Sequence, residues 1–309
     1  MTHSTKTQIQ TAAELAQWLR TACQDKTGAE PSSESRLFLL VDLAKLPNWA
    51  EHETTLIAKG LLKGESINLY DDLSGLAIEN SGPALIEVER HVEALQALAE
   101  FVLQQDAFSY LLAANVDLAE LANHLREIRE VVMPDGTGAL FRFQDINVTT
   151  ALWPMATPGQ IHRLLGPARV WAVRDVCGDM LSIVRQRTDL LAGAIQFTKE
   201  NVKALEDALF PWTVIHQIDE IDIVLLDGMS GCERRKLVNE RITQARQLGL
   251  KLPSDLALYS ALSLQLPEGF IKKAPFADAL AKARAGHASF GSALEHVSSD
   301  EWLAVSEDD

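Results

Sequence analysis

The sequence is short of cysteine, of basic residues and of long apolar runs, and each shortage removes a class of protein. Its 309 residues hold three cysteines, Cys23, Cys177 and Cys232. They lie far apart, with no Cys-x-x-Cys pair and no metal-ligand spacing, so no disulfide framework is expected. Lysine and arginine number 28 against 43 acidic residues, a formal net charge of -15 with a pI near 5.0. Such a field repels nucleic-acid backbones and anionic lipid surfaces. Arg234, Arg235 and Lys236 form a short basic cluster, but Glu233 and Glu240 flank them on what reads as a solvated helix face. No run approaches the roughly 20 apolar residues of a membrane span, and the first ten residues are polar. The expected location is the cytoplasm, with neither nucleic acid nor membrane insertion.

Motifs for common chemistries are missing too. His52 and Glu53 are adjacent, but a zinc helix needs a second histidine four residues after the first, where Leu56 stands. His91, His124, His162 and His216 are scattered over separate helices. Ser81 and Ser230 lack the Gly-x-Ser-x-Gly elbow, and there is neither a Gly-x-Gly-x-x-Gly turn nor a phosphate loop. No cofactor or metal is expected, and no internal repeat or low-complexity tract interrupts the chain.

What is present is an ordinary globular composition, 47 % hydrophobic and 23 % charged. A chain of this length exceeds the usual single core, so two lobes are expected. Residues up to about 10 read as a flexible lead. Thr11 with Glu14 has capping-box spacing before a helix carrying Leu15, Trp18, Leu19 and Ala22 on one face. Residues 28–35 break it. Residues 36–42 are a continuous apolar run, the pattern of a strand buried on both faces and ending at Asp42. A helix over 48–59, a strand over 84–88, a helix over 92–104 and a strand over 108–114 follow in alternation.

Asp117 and Glu120 open a helix whose Leu118, Leu121, Leu125 and Ile128 repeat at the helical period. Residues 131–133 and 140–143 flank Pro134, Asp135 and Gly136, the chemistry of a hairpin reversal that brings antiparallel pairing into a mixed sheet. Thr157, Pro158 and Gln160 start a short helix that Gly166 and Pro167 stop. Residues 168–174 and 180–184 read as the last two strands. Helical periodicity governs the rest, near 198–226, 232–248, 253–265 and 275–296, with Pro211 expected to kink or split the first of these. The tail over 298–309 is acidic, either frayed or pinned by Trp302. The expected organisation is thus a lead and helix over 1–35, a mixed α/β lobe over 36–188 and an all-α lobe over 189–309.

Three aspartates at strand ends, Asp42, Asp145 and Asp175, are the strongest enzymatic set, since carboxylates there can hold Mg²⁺ for phosphoryl chemistry. The competing reading is that aspartate commonly ends strands and caps the next element. Arg142 stands between Phe141 and Phe143 in an alternating stretch and points away from both. A covered guanidinium there must be paired, with Asp145 or a carboxylate of the preceding helix as partner. In the helical lobe Phe197, Phe210, Trp212, Ile215, Ile218 and Ile221 form a large apolar inventory, read either as helix core or in part as the lining of a groove.

Four stretches carry a family resemblance: RLFLLVDLAK at 36–45, SGPALIEV at 81–88, LAELANHLREIREVVMPDGTGALFRFQD at 118–145 and LLGPARVWAVRD at 164–175. In this order and spacing the chain resembles the type VI secretion effector chaperone family, adaptors catalogued as a domain of unknown function. Where the family has Tyr-Asp-Pro-Arg after the Arg-Phe pair, this sequence has Gln144, Asp145, Ile146 and Asn147, so only the aspartate matches. The resemblance implies structural roles for Asp42, Pro83, Leu125, Arg126, Pro134, Asp135, Gly136, Arg142, Asp145, Gly166 and Pro167. It also implies a non-catalytic protein that holds a cognate toxic effector, by its N-terminal or transmembrane region, and loads it on the secretion spike. A spike protein or a co-chaperone are further partners it implies. Phe210, Trp212, Ile215 and Trp171 are the expected effector contacts, in a cleft between the lobes. A metal-dependent enzyme using the strand-end aspartates and an immunity protein neutralising a toxin are the alternatives.

Overall fold

Seven strands of the first 208 residues hydrogen-bond into one sheet, and its two faces explain why several of them read as continuous apolar runs. The computed structural model describes residues 5–24, 35–73, 82–185, 194–221, 224–295, 297–298 and 302. In chain order the elements are β1 (Thr5–Gln8), α1 (Ala12–Gln24), β2 (Ser35–Asp42), α2 (Trp49–Ala58), β3 (Ile67–Asn68), β4 (Pro83–Glu87), α3 (Val92–Val102), β5 (Phe108–Ala114) and α4 (Leu118–Ile128). Then come β6 (Glu130–Val132), β7 (Gly138–Leu140), α5 (Ile146–Leu152), α6 (Pro158–Leu165), β8 (Ala168–Arg174), β9 (Asp179–Val184), β10 (Ile195–Gln196) and α7 (Lys199–Ile221). Four more helices follow, α8 (Gly231–Gln247), α9 (Pro253–Gln265), α10 (Ala274–Arg284) and α11 (Phe290–Leu294). The breaker stretch 28–34 and the tail beyond Trp302 lie outside the described residues.

The large sheet has the order β1-β9-β8-β5-β2-β4-β3, and every neighbouring pair in it is antiparallel. This corrects the expected mixed sheet. The 134–136 hairpin does form, but β6 and β7 belong to a separate three-stranded sheet in which β10 pairs parallel to β6. On β2, Phe38 and Leu40 face one apolar cluster while Leu37, Leu39 and Val41 face another. Leu121, Leu125 and Ile128 of α4, with α5 and α6, cover the first face; Leu15 and Leu19 of α1, with α2 and α3, cover the second. Burying both sides removes the polar alternation that usually marks an antiparallel strand.

The lead expected over the first ten residues is partly ordered, because Thr5–Gln8 forms the edge strand β1 against β9. Its polar side chains suit an edge, and Lys6 pairs with Asp179 at 2.7 Å. The capping boxes expected at Thr11/Glu14 and Thr157/Gln160 are both closed in both directions. β10 follows β9, so the strands do not end at 184. Helix α7 runs on through Pro211, which neither splits nor ends it. The buried Val214 and Ile218 hold the turns after the proline in an apolar core, which offsets the one lost backbone bond.

The chain divides into two compact units, Met1–Ala208 and Leu209–Asp309, a division inside α7 and later than the composition shift near 188. The second unit is helical, built on Val238, Ile242, Leu256, Phe276 and Phe290. Trp302 stacks edge-on against Phe276 at 4.9 Å, so the aromatic of the tail is pinned. No described helix is long and apolar enough to cross a membrane.

Candidate functional site

Asp42 is the last residue of β2, and its carboxylate is fully buried. Its backbone N–H donates to Ala107 O at 2.8 Å, and its Oδ1 accepts from the Ala44 N–H at 3.3 Å. Its Oδ2 lies 3.7 Å from Arg142 Nη2. Burial pushes the carboxyl above its ordinary range, Lys45 and Arg142 pull it back, and Asp145 adds to the rise. Lys45 Nζ in turn donates to Asp145 Oδ1 at 3.2 Å, and the same Asp145 caps α5 by accepting from the Asn147 N–H at 3.0 Å.

The sequence places Arg142 in a strand, with Asp145 or a carboxylate of α4 as the candidate partner if its face is covered. Arg142 lies beyond β7 in irregular backbone, its side chain is half exposed, and its carboxylate is Asp42. Phe141 and Phe143 point inward as expected, and Gln144 is buried as well. Tyr70 lies under this cluster; burial holds its phenol above the ordinary range, with Gln144 beside the hydroxyl opposing the shift.

A second set of charges adjoins the first. Arg126 in the last turn of α4 and Arg129 at its C-cap are three residues apart, so they lie side by side, at the border of the face that buries Leu121 and Leu125. Arg126 Nη2 donates to Asn68 O at 3.0 Å and to Asp71 at 2.9 Å. Arg129 donates to Leu69 O at 2.8 Å and, through Nη2, to Asp72 Oδ2 at 2.7 Å. The hydrogen bond from Arg129 holds the Asp72 carboxyl below its usual range. The two guanidiniums clamp the segment 68–72 to α4, and that segment carries Tyr70 to the Asp42 cluster. Arg129, Tyr70, Asp71 and Asp72 went unread in the sequence; the signal was there in the acidic pair 71–72 and in arginines at helical spacing.

The three strand-end aspartates do not converge on one cation position. Asp42 and Asp145 are met by Arg142 and Lys45, while Asp175 closes the β8–β9 turn by accepting from the Cys177 and Asp179 N–H groups at 2.8 and 2.9 Å. Among the described residues no group of three His, Cys, Asp or Glu side chains is placed to hold a metal ion.

The remaining motif residues are structural in their contacts. Pro83 opens β4 and Leu125 is core. Pro134, Asp135 and Gly136 make the exposed turn, with Asp135 Oδ1 accepting from the Thr137 N–H at 3.0 Å and Gly136 at φ 85°. Gly166 ends α6 at φ 50°, and a Cβ there would run into the His124 ring before Pro167. Of the four expected effector contacts, Trp171 is fully buried between Phe143 and Trp153, because β8 is an interior strand of the sheet. Ile215 is buried in the helical core, and Phe210 and Trp212 pack against that core while remaining half-buried. Among the described residues of the second unit Ile221, which belongs to the apolar inventory read from the sequence, is strongly exposed, as are Val224 and Leu252, which that reading left out.

Comparison with curated proteins and with solved structures finds no match. Residues 37–163, from β2 through most of α6, match the model of a protein family described as a domain of unknown function, DUF4123. The match takes in Asp42, the arginine clamp, the Pro-Asp-Gly turn, Arg142 and Asp145, and stops short of Gly166, β8 and the helical unit.

Proposed function

We propose that this protein is a type VI secretion effector adaptor, which binds a cognate toxic effector in the cytoplasm of the producing cell, keeps it soluble and helps to load it on the secretion spike. The observation that carries the reading is the match of residues 37–163 to a domain known in such adaptors. The ion pairing of the strand-end aspartates supports a binding scaffold over a metal-dependent enzyme, because Arg142 and Lys45 already supply the positive charge that a metal would bring. The acidic balance of the chain and the lack of a spanning helix among the described residues support a role away from lipid and nucleic acid.

Within this reading Phe210 and Trp212 are the proposed effector contacts among the residues expected from sequence, being half-buried where Ile215 and Trp171 are enclosed. Co-expression with a candidate effector, with and without this protein, tests the proposal. The soluble fraction of the effector is expected to fall severalfold without this protein. An effector equally soluble in its absence contradicts the reading.

A further inference from the structure

A strand at the edge of a sheet leaves backbone donors and acceptors without a neighbour, and three of the four edges in this unit are guarded. β1 is polar throughout and carries Lys6 in an ion pair with Asp179. The Asn68 carbonyl of β3 accepts from Arg126 Nη2 at 3.0 Å, and the Gln196 carbonyl of β10 accepts from Gln160 Nε2 at 2.8 Å. β7, at the remaining edge, consists of Gly138, Ala139 and Leu140, with neither charge nor proline.

The register fixes which of its groups face outward. The Phe141 N–H donates to Arg129 O at 2.7 Å and the Met133 N–H to Thr137 O at 2.8 Å, on the outer sides of the pairs Glu130/Leu140 and Val132/Gly138. Both are therefore non-hydrogen-bonded pairs of the ladder, and the N–H and C=O groups of Gly138 and Leu140 point away from β6. Among the described residues no hydrogen bond reaches those groups. Ala139 packs inward beside Val131, so Leu140 stands on the opposite face and is 42 % exposed. A Cβ at Gly138 would meet nothing within 4 Å.

Outward donors and acceptors at alternate residues of a strand match the backbone of another extended chain. The bare Cα of Gly138 leaves room for a large side chain from that chain, and Leu140 gives it an apolar flank. Pairing of β7 with its copy in a second molecule is too small a contact for a dimer: three residues a side bury no more than a few hundred Å², against roughly 1,200 Å² for a stable interface. A segment of a partner that is held elsewhere as well is under no such limit.

We propose that β7 takes up an extended segment of the effector as an added strand, with a large apolar or aromatic side chain of that segment placed over Gly138 beside Leu140. This rests on the adaptor reading and names the kind of segment that is held. The contact is made by backbone of the first unit, in addition to Phe210 and Trp212.

The test is hydrogen exchange resolved to single amides, on the full-length protein alone and in the complex co-purified with the candidate effector. The amides of Gly138 and Leu140 are expected to exchange at least tenfold more slowly in the complex. Those of Ala139 and Phe141, which face β6, serve as the internal reference. Leu140→Pro removes a donor that no bond in the fold uses, a change edge strands tolerate. It is expected to cut effector retention at least fivefold with the free protein's melting temperature unchanged. Leu140→Lys, which sets a charge in the path of the added strand, is expected to do the same. Unchanged exchange at 138 and 140 in a complex that forms overturns the added strand and leaves the adaptor reading standing, whereas no complex with the wild-type protein overturns both. A dimer of the free protein that Leu140→Pro dissociates assigns the edge to a second copy and overturns the proposal as well.

Discussion

Arg129 shows how much one side chain holds in this fold. It is almost fully buried, donates to the Leu69 carbonyl and to Asp72, and thereby fixes the segment under Tyr70. Arg129→Gln leaves a buried carbonyl without its donor, and is expected to cost about 1–3 kcal/mol in denaturant unfolding. Arg126→Gln, whose carboxylate partner Asp71 is exposed, should cost under about 1 kcal/mol. The pH dependence follows from the signs. The folded-state value of Asp72 is lowered by Arg129, so its contribution is present above the unfolded carboxylate range and is lost as pH falls through the folded value. The deficit of Arg129→Gln should therefore be largest at neutral pH and shrink below about pH 4, as unfolding curves across pH would record.

Asp42 has the opposite sign: its folded-state value is raised, chiefly by burial, so ionising it weakens the fold as pH rises. Asp42→Asn is expected to raise stability at pH 7 by under about 1 kcal/mol, with the gain vanishing in acid. A loss of stability at pH 7 would show that the Arg142 contact outweighs the burial. That Asp42, Asp145 and Arg142 belong to one neighbourhood was partly legible, since each ends or follows a readable element. Their pairing was not, because Asp42 and Arg142 stand about a hundred residues apart in the chain, and alternation along 141–143 gives a direction but no partner.

At the scale of elements, the signals that proved sound are those whose physics is local. The capping boxes, the helical period of α4 and the Pro-Asp-Gly turn depend on residues within a few positions of one another, and each appears where the sequence places it. Strand direction is a non-local property. A run such as residues 37–41 is continuously apolar whenever both faces are covered, and helices on either side cover an antiparallel sheet here. The short strands β1, β3 and β10 carry two to four residues each, too few for any period to show. The large apolar ring of Trp171 drives it into the core, where it reaches no partner. Gly166 marks the junction of α6 and β8, where φ is positive and the His124 ring occupies the place of a Cβ. Gly166→Ala is expected to cost about 1–3 kcal/mol, read as a lower unfolding midpoint with an unchanged denaturant slope.

At the scale of the molecule, the two units have different standing. The first carries the arginine clamp, the Asp42 cluster and the family match, all within residues 37–163. The second is a helical unit with its own apolar core, where Phe210 and Trp212 remain partly accessible. On this account the first unit is scaffold, and loss of its ion pairs acts through stability. Substitutions on the second unit's accessible surface act on the partner. Trp212→Ala is thus expected to leave the fold of the first unit intact and to reduce effector retention, which co-purification measures directly.

The central claim, that this protein works by holding an effector for secretion, is tested most directly by deleting its gene in the producing cell. The effector is then quantified in cells and in culture supernatant. The account predicts that the secreted effector falls at least tenfold while the spike components are still exported, and that the intact gene supplied in trans restores it. Undiminished secretion of the effector from the deletion strain would contradict it.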